Sequence, residues 1–515
     1  MATESPAGGA EPLDLRPRAV RAWLEALPPT RPVDAAASLF ERIQRVNRAR
    51  IEADERLEFI TACTAMARAV EEELRHLYMR SSLPLGDKPR LALAAGRALA
   101  TELALAYRNA AAEKAGRRLA FGARRKVPAL LLESIDWSSR VIAASYRAYA
   151  LVPPGTWRQL HEAYAAAVRH ECADEPVAEA EERTVAQVYC RTLLLSLSDP
   201  YRLRPGETDR IAEVAGFAMD SASLAREAPS TPARAHFVVA CDGDAPPRPA
   251  GAGTEVAGAN VFFLDLNNVV GRLSARRAAA RGGTPGRALA PEEMALLDKL
   301  ISLWDDPPRR AFRRDASEMS VAVCAGLEAV RHYVDKEGQP NAIEAAAIRS
   351  GITMPLLPFT DEDETTQPPV VEWDVVNESA GGLRLRRSVG RQAITVGEVL
   401  GIRMMGRPRW IVGLVRWITA GDGGAFEFGV QFLAPGARAV WVRPTISASP
   451  QSRPGLLLER ALRDPAAEAL LVPPGLFSEL RELEVDEAGE SRIVRATDAV
   501  EHTAKAEIFA FTATR

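Results

Sequence analysis

The first 228 residues place apolar side chains at three- and four-residue steps, which is the pattern of amphipathic helices. One such stripe runs through Ala36, Leu39, Phe40, Ile43 and Val46. Proline-containing segments interrupt these stripes at residues 27–29, 82–86 and 152–155. The pattern therefore predicts an all-helical domain over residues 1–228.

A repeat architecture is a second possibility for this region. Trp157, Leu160 and Tyr164 have the spacing that opens a tetratricopeptide helix. Only one copy is visible, and the small residue expected after the leucine is missing. We therefore favour an irregular helical bundle with aromatic core residues.

After Pro229 the chain changes to short runs of β-branched and aromatic residues divided by turn residues, which is typical of strands. The runs lie at residues 236–240, 261–265, 319–323, 370–376, 383–385, 411–415, 426–432, 455–458, 469–472, 483–485, 493–496 and 508–511. One helix is predicted to begin at Pro291 and to bury a stripe that ends at Trp304. We predict a multidomain α + β protein, in which a helical bundle is followed by an antiparallel β-barrel and further β-rich segments.

The charge is nearly balanced, with 65 basic and 68 acidic residues and a formal net charge of −3. This balance excludes a chain-wide polycation, so neither DNA nor RNA is an expected partner. Only six of the basic residues are lysines. Because the other 59 are arginines, an arginine pair alone is weak evidence for a site.

No stretch of about 20 uninterrupted apolar residues occurs, so no transmembrane segment is expected. The polar, acidic N-terminus lacks the basic start and apolar run of a signal peptide. The five cysteines are widely spaced, at positions 63, 172, 190, 241 and 324. Their odd number and spacing argue against a disulfide framework or a zinc site, and a cytoplasmic location is expected.

The common enzyme signatures are absent. The sequence has no Walker-type phosphate loop, no dinucleotide fingerprint after a strand and no Gly-x-Ser-x-Gly elbow. His161 and Glu162 begin a zinc-protease pattern, but Ala165 stands where the second histidine ligand would be. We therefore predict no catalytic residues, no metal site and no enzyme.

An arginine motif directly precedes the predicted strand at 319–323. Its members are Arg309, Arg310, Arg313 and Arg314. Two Arg-x-x-x-Arg pairs are possible, 310 with 314 or 309 with 313. The spacing arises several times by chance in a chain so rich in arginine, so it needs a second motif to carry meaning.

That second motif is Asn-x-Ser-x-x-Gly, formed by Asn377, Ser379 and Gly382, and it leads into the predicted strand at 383–385. Two glycine-containing strands follow it in order, at 413–416 and 428–432. With the arginine motif, this series resembles the PilZ domain, a small β-barrel that binds cyclic di-GMP. The resemblance covers about residues 305–445.

The resemblance implies a cyclic di-GMP site built from both motifs, with Arg310 and Arg314 as the best-matched arginine pair and Arg309 or Arg313 beside them. The residue types suit this ligand, because arginine's planar fork binds phosphate oxygens or the O6 and N7 atoms of guanine. Asn377 offers an amide to a guanine edge and Ser379 a short hydroxyl. Gly382 permits close backbone approach.

Ordinary structural roles are also open for these residues. The arginines, which lie between acidic residues, suit an ion-paired turn, and the Asn motif suits a strand corner. Trp373 and Trp410 are predicted to lie in the core or at the rim of the barrel. Arg384 and Arg386 share a strand face, which either extends the basic surface or is simply exposed.

More than sixty residues separate the two motifs, which is longer than a compact PilZ barrel needs, so we interpret residues 336–368 as an insertion with an acidic run at 361–364. The predicted domains are an all-helical domain at 1–228, a β/α connecting segment at 229–304, the PilZ-like barrel at 305–445 and a β-rich extension at 446–515.

The resemblance implies a cytoplasmic bacterial receptor that binds cyclic di-GMP as its ligand, without another cofactor. We expect residues 1–228 to transmit this binding to a protein partner. The alternative is a PilZ-fold scaffold that no longer binds nucleotide and acts by protein–protein interaction.

Overall fold

The computed structural model describes most of the chain. The described residues are 13–28, 30–116, 124–227, 234–250, 258, 260–282, 289–307, 313, 315–317, 319–337, 367–387, 393–404, 406–407, 409–421, 425–446, 451–459 and 468–514. They divide into two compact units, Met1–Arg309 and Arg310–Arg515. The predicted fold class, a helical region followed by a β-rich region, is confirmed.

The first unit begins with eight α-helices in the described residues. They are α1 (Pro17–Glu25), α2 (Pro32–Arg48), α3 (Ala53–Met79), α4 (Asp87–Gly116), α5 (Val127–Arg147), α6 (Thr156–Arg169), α7 (Val185–Ser196) and α8 (Glu207–Ala218). Short 3-10 helices lie at Arg124–Lys126, Ala178–Ala180, Pro200–Arg202 and Met219–Ser221. Helix α7 starts with a capping box, in which the Thr184 hydroxyl accepts the Gln187 backbone N–H and the Gln187 side chain accepts that of Thr184.

A small sheet and two further helices complete the first unit. Their bounds are β1 (Ser223–Ala225), β2 (His236–Ala240), β3 (Arg248–Pro249), β4 (Val261–Asp265), α9 (Asn267–Arg281) and α10 (Pro291–Asp305). The sheet has the strand order β1-β4-β2-β3. Helix α10 begins at Pro291 and buries Leu297, Leu300 and Trp304, as predicted.

The helical region and the segment that follows it share one hydrophobic core. Trp157, Leu160 and Tyr164 of α6 are buried in the same apolar cluster as Phe262 of β4 and Trp304 of α10. The rings of Tyr164 and Phe262 meet edge to face, with centroids 5.4 Å apart. Residues 1–228 therefore do not have a core separate from that of residues 235–304.

The second unit starts with a six-stranded barrel and an additional short strand. Its elements are β5 (Asp315–Ala316), β6 (Ser320–Ala325), α11 (Leu327–Asp335), β7 (Val370–Ser379), β8 (Gly382–Arg387), β9 (Val399–Met404), β10 (Ile411–Ala420) and β11 (Phe426–Ala434). The sheet order is β5-β7-β6-β9-β10-β11-β8, and the pairing of β7 with β8 closes it. This first barrel buries Trp373 against Phe428, with ring centroids 4.7 Å apart.

A second closed barrel follows after a single connecting residue, Pro435. Its strands are β12 (Gly436–Pro444), β13 (Arg453–Glu459), β14 (Ala469–Val472), β15 (Glu482–Glu487), β16 (Glu490–His502) and β17 (Glu507–Ala513). Their order is β12-β13-β14-β17-β16-β15, closed by β12 with β15. The predicted limit between the PilZ-like barrel and the C-terminal extension is residue 445. Strand β12 lies before this limit, yet it pairs with β13 and β15, which lie after it.

The two barrels are joined by an apolar core. Val330 of α11, Leu414 of β10, Leu456 of β13 and Ile508 of β17 are all buried in one cluster. Because this cluster is continuous from one barrel to the other, the two barrels form one packed body.

Candidate functional site

The Asn motif forms the hairpin between β7 and β8. Asn377 lies in β7, Ser379 is the last residue of that strand, and Gly382 is the first residue of β8. Ser379 lies opposite Gly382 in the ladder, and its hydroxyl donates a hydrogen bond to the Gly382 carbonyl oxygen at 3.2 Å. All three motif residues therefore lie at one end of the first barrel.

Gly382 is required by the close approach of β8 to β11. A Cβ atom at this position would lie 1.9 Å from the carbonyl oxygen of Val430, which is backbone and cannot move aside. The structure thus gives this glycine a packing role in the barrel. A direct contact with a ligand stays a prediction.

Of the arginine motif, only Arg313 is among the described residues, and Arg309, Arg310 and Arg314 lie outside them. The Arg313 side chain is 92% exposed, with Nε 3.5 Å from a carboxylate oxygen of Asp315. An ion pair this exposed contributes little stability. The Arg313 guanidinium is therefore held only weakly.

Strand β5 links the two motifs. Asp315, which directly follows Arg314 in the chain, pairs with Glu378, and Ala316 pairs with Asn377. The backbone next to the arginine motif thus runs beside the strand that carries the Asn motif, although over sixty residues separate them in sequence. This non-local pairing is the central geometric feature of the candidate site.

A row of side chains crosses the outer face of the barrel from Asn377. Asn377 lies opposite Arg384 on β8, and Arg384 lies opposite Gly429 on β11. The neighbouring Leu383, Leu385 and Phe428 are buried, as alternation along the strands requires. Asn377 and Arg384 therefore share the outer face.

Trp417 of β10 extends this row. Its indole occupies the space above Gly429, because a Cβ at that glycine would lie 1.9 Å from the indole Nε1. The Arg384 guanidinium carbon is 5.8 Å from the centroid of the Trp417 ring. The outer face thus carries an amide, a guanidinium and a half-buried indole side by side.

Glu427 binds the two arginines on this face. Its carboxylate accepts hydrogen bonds from Arg384 Nε, at 2.9 Å, and Arg384 Nη2, and also from Arg386 Nε. Burial raises the pKa of Glu427, but the hydrogen bonds from Arg384 and Arg386 outweigh it, so the pKa lies below its usual value. Glu427 is therefore a stable anion that partly neutralises the two cations.

The tryptophans named from the sequence lie in the protein interior, as predicted. Trp373 is 2% exposed and Trp410 is 3% exposed. Trp410 stacks on Tyr333 of α11 with ring centroids 5.1 Å apart. Neither ring is available to stack on a ligand base.

Sequence reasoning did not identify Trp417 or Glu427, and it placed Gly429 in a glycine-containing strand without showing that Trp417 lies over it. The alternation of Arg384 and Arg386 did predict that these two share a strand face. No sequence signal, however, gives the register that sets Glu427 of β11 beside them. The predicted insertion at 336–368, with its acidic run, lies almost entirely outside the described residues.

Within the described ranges, no group of three His, Cys, Asp or Glu side chains is arranged to hold a metal ion. No described helix combines the length and apolar character needed to cross a bilayer.

The closed barrel with an Asn-x-Ser-x-x-Gly hairpin and a preceding arginine motif defines the PilZ class of domain. Comparison with protein families gives the same class: residues 236–347 and 357–439 match the family described as "Cyclic-di-GMP receptor FimW, middle PilZ domain". Residues 18–229 match "Cyclic-di-GMP receptor FimW, N-terminal domain". The chain therefore belongs to the PilZ-domain proteins, with both matched regions of the FimW type.

A curated relative supports this assignment over nearly the whole chain. The "Cyclic-di-GMP receptor FimW" of Pseudomonas aeruginosa is 23% identical over 548 aligned positions, covering 93% of this chain and 87% of the relative. No solved structure gives a significant match. The matched families are described as receptor domains and not as enzymes.

Proposed function

We propose that this protein is a bacterial cyclic di-GMP receptor whose site lies where β5 meets β7. The observation that carries the proposal is the pairing of Asp315 and Ala316, which directly follow the arginine motif in sequence, with Glu378 and Asn377. The family descriptions and the relative's name both specify cyclic di-GMP, which supports the same ligand here.

The two motifs offer different chemical groups to the ligand. Arg310 and Arg314 bind the phosphates or guanine edges through their planar forks, with Arg309 and Arg313 as further cations. Asn377 and Ser379 contribute an amide and a hydroxyl from the hairpin. Gly382 lets β8 approach the backbone of β11 closely and so supports the hairpin.

The helical half is the proposed output. The first compact unit ends at Arg309 and the second begins at Arg310, so the arginine motif spans the boundary between them in sequence. Ligand binding at the arginine motif is proposed to act on the helical half, which carries the signal to a protein partner. The partner surface is proposed within residues 1–228.

The cytoplasm is the proposed location. All five cysteines are buried and unpaired, which suits a reducing compartment. Neither DNA nor RNA is a proposed partner, because the net charge is only −3.

Isothermal titration calorimetry with cyclic di-GMP tests the proposal on the full chain. Wild type is expected to bind, and R310A and R314A to bind at least about tenfold more weakly, because a hydrogen bond to a charged group is worth ~1.5–3 kcal/mol. R443A, which removes an exposed strand arginine of the second barrel, is the matched control and keeps wild-type affinity. No heat from wild type at tens of micromolar ligand overturns the proposal.

A nucleotide-free scaffold is the second candidate, and one observation favours it. Glu427 already forms ion pairs with Arg386 and with Arg384, which lies opposite Asn377, so it partly neutralises both cations. A scaffold predicts a stable protein partner whose binding does not respond to cyclic di-GMP. Partner binding should be measured with the full chain, since residues 1–228 share a core with residues 235–304.

A further inference from the structure

Arg384 is a cation beside the Asn motif that neither motif includes. On one side its cross-strand neighbour is Asn377, and on the other it is Gly429, which has no side chain. Arg386 differs, because its neighbour on β7 is Asp374 and its neighbour on β11 is Glu427. Of the two arginines, Arg384 therefore has the less acidic cross-strand neighbours.

The Arg384 guanidinium is held in place along one edge only. Glu427 accepts hydrogen bonds from Nε and Nη2, and the Trp417 indole lies 5.8 Å away. Among the residues that the structure describes, Nη1 has no hydrogen-bond partner, and the side chain is 35% exposed. The second edge of the fork, formed by Nη1 and Nη2, is thus oriented and available for a ligand.

We propose that Arg384 is a third ligand-binding arginine of the nucleotide site and that Glu427 is its resident counter-ion. The inference rests on the proposed function. Arg384 binds a phosphate or a guanine edge of the ligand that also contacts Asn377. Glu427 orients the guanidinium but opposes the ligand's negative charge, so it lowers the affinity.

The two roles of Glu427 can be separated by one substitution. In E427Q the side chain keeps an oxygen that accepts a hydrogen bond from arginine but loses its negative charge. Orientation of Arg384 is largely kept while the repulsion of the anionic ligand is removed. E427Q is therefore expected to bind cyclic di-GMP more tightly than wild type.

The second barrel offers a matched control. Arg443 of β12 donates from Nε and Nη2 to both carboxylate oxygens of Glu484 on β15, at 2.9 and 2.8 Å. This is the same kind of cross-strand pair, exposed on a barrel of the same size. E484Q is expected to leave the affinity unchanged.

The test is calorimetric titration of cyclic di-GMP into full-length wild type, R384A, E427Q and E484Q. R384A is expected to lose about tenfold in affinity, and E427Q to gain roughly three- to tenfold. Thermal unfolding of each variant shows whether it is folded at the titration temperature. Should R384A fail to fold, E427Q still decides the inference.

Two outcomes separate this inference from the proposed function, and a third overturns both. If wild type binds and E427Q binds equally or more weakly, Glu427 is not an opposing counter-ion and the inference is wrong, although the receptor function stands. If only E427Q binds cyclic di-GMP, the counter-ion role of Glu427 is supported, but the receptor function of the wild type is not. If neither binds, both are overturned.

Discussion

The second unit contains two six-stranded antiparallel barrels in one chain, and of the two only the first carries an Asn-x-Ser-x-x-Gly hairpin. Both barrels are closed, and both carry an Arg–Glu pair on the outer face. The first adds strand β5 outside its ring and a hairpin with a hydroxyl and an amide. In the proposed function, the barrel supplies a rigid support, and the attached strand and the hairpin define the site.

Charge balance separates the two barrels as well. In the second barrel, Arg438 is bound by three carboxylates, those of Glu459, Glu468 and Glu487. In the first barrel, the carboxylate of Glu427 is shared by Arg384 and Arg386. Glu427 is thus one carboxylate shared by two guanidinium groups, whereas Arg438 is one guanidinium group shared by three carboxylates.

The largest expected effect comes from the hairpin glycines. G382A is expected to lose about 3 kcal/mol of stability, because its Cβ would overlap the Val430 carbonyl oxygen. In the second barrel, Gly489 stands in the β15–β16 turn at φ 91°, and nothing lies within 4 Å of its added Cβ. G489A is expected to lose only ~1 kcal/mol, from backbone strain. Denaturant unfolding measures the free energy of unfolding of both variants. Equal losses would contradict a special packing role for Gly382.

A smaller effect is expected at Glu507, a support of the second barrel. Its buried carboxylate accepts hydrogen bonds from the backbone N–H groups of Gly475, Leu476 and Phe477 at 2.9, 3.0 and 2.7 Å. E507Q is expected to lower the free energy of unfolding by ~2 kcal/mol. The neutral amide oxygen accepts hydrogen bonds more weakly than the carboxylate, and the amide N–H₂ group would face backbone N–H donors.

The same variant tests how the barrels are coupled. Since the two barrels share an apolar core, E507Q should lower one common unfolding transition of the second unit. E482Q, at an exposed pair with Arg495, is the control and should change stability by less than ~0.5 kcal/mol. Two separate transitions would contradict a single packed body.

The smallest expected effect is the pH dependence of Glu427. Its pKa is lowered in the folded state, so its ion pairs stabilise the protein at pH values above its ordinary range. This stabilisation is lost as the pH falls through the folded-state pKa. Wild type should exceed E427Q in stability by under ~1 kcal/mol near pH 7, and the difference should vanish in acid. Urea unfolding across this range measures it, and a constant difference would contradict the account.

Local sequence patterns predicted much of the fold. The strands at 370–376, 411–415 and 426–432 alternate or are rich in β-branched and aromatic residues, and all were confirmed. Helix α9 was not predicted, because only Val269 and Leu273 of its residues are buried and no long apolar stripe forms. Strand β9 contains Gly401 and was missed for a similar reason, since glycine weakens a strand signal.

The site was only partly predictable. The motifs identify Asn377 and Ser379 because their order along the chain matches a known family pattern. Strand register between distant segments decides the other contacts. It pairs Asn377 with Ala316 and Arg384, and it brings Glu427 within hydrogen-bond distance of Arg384. Register is decided by packing of the whole barrel, so local pattern cannot give it.

Hydrogen–deuterium exchange of the full chain, with and without cyclic di-GMP, tests most directly whether the first barrel alone carries the site. The account predicts slower exchange in residues 370–387 and 426–434 on ligand addition, with residues 453–514 unchanged. R310A should show no such protection at the same ligand concentration. Protection confined to residues 453–514, or equal protection of both barrels, would contradict the account.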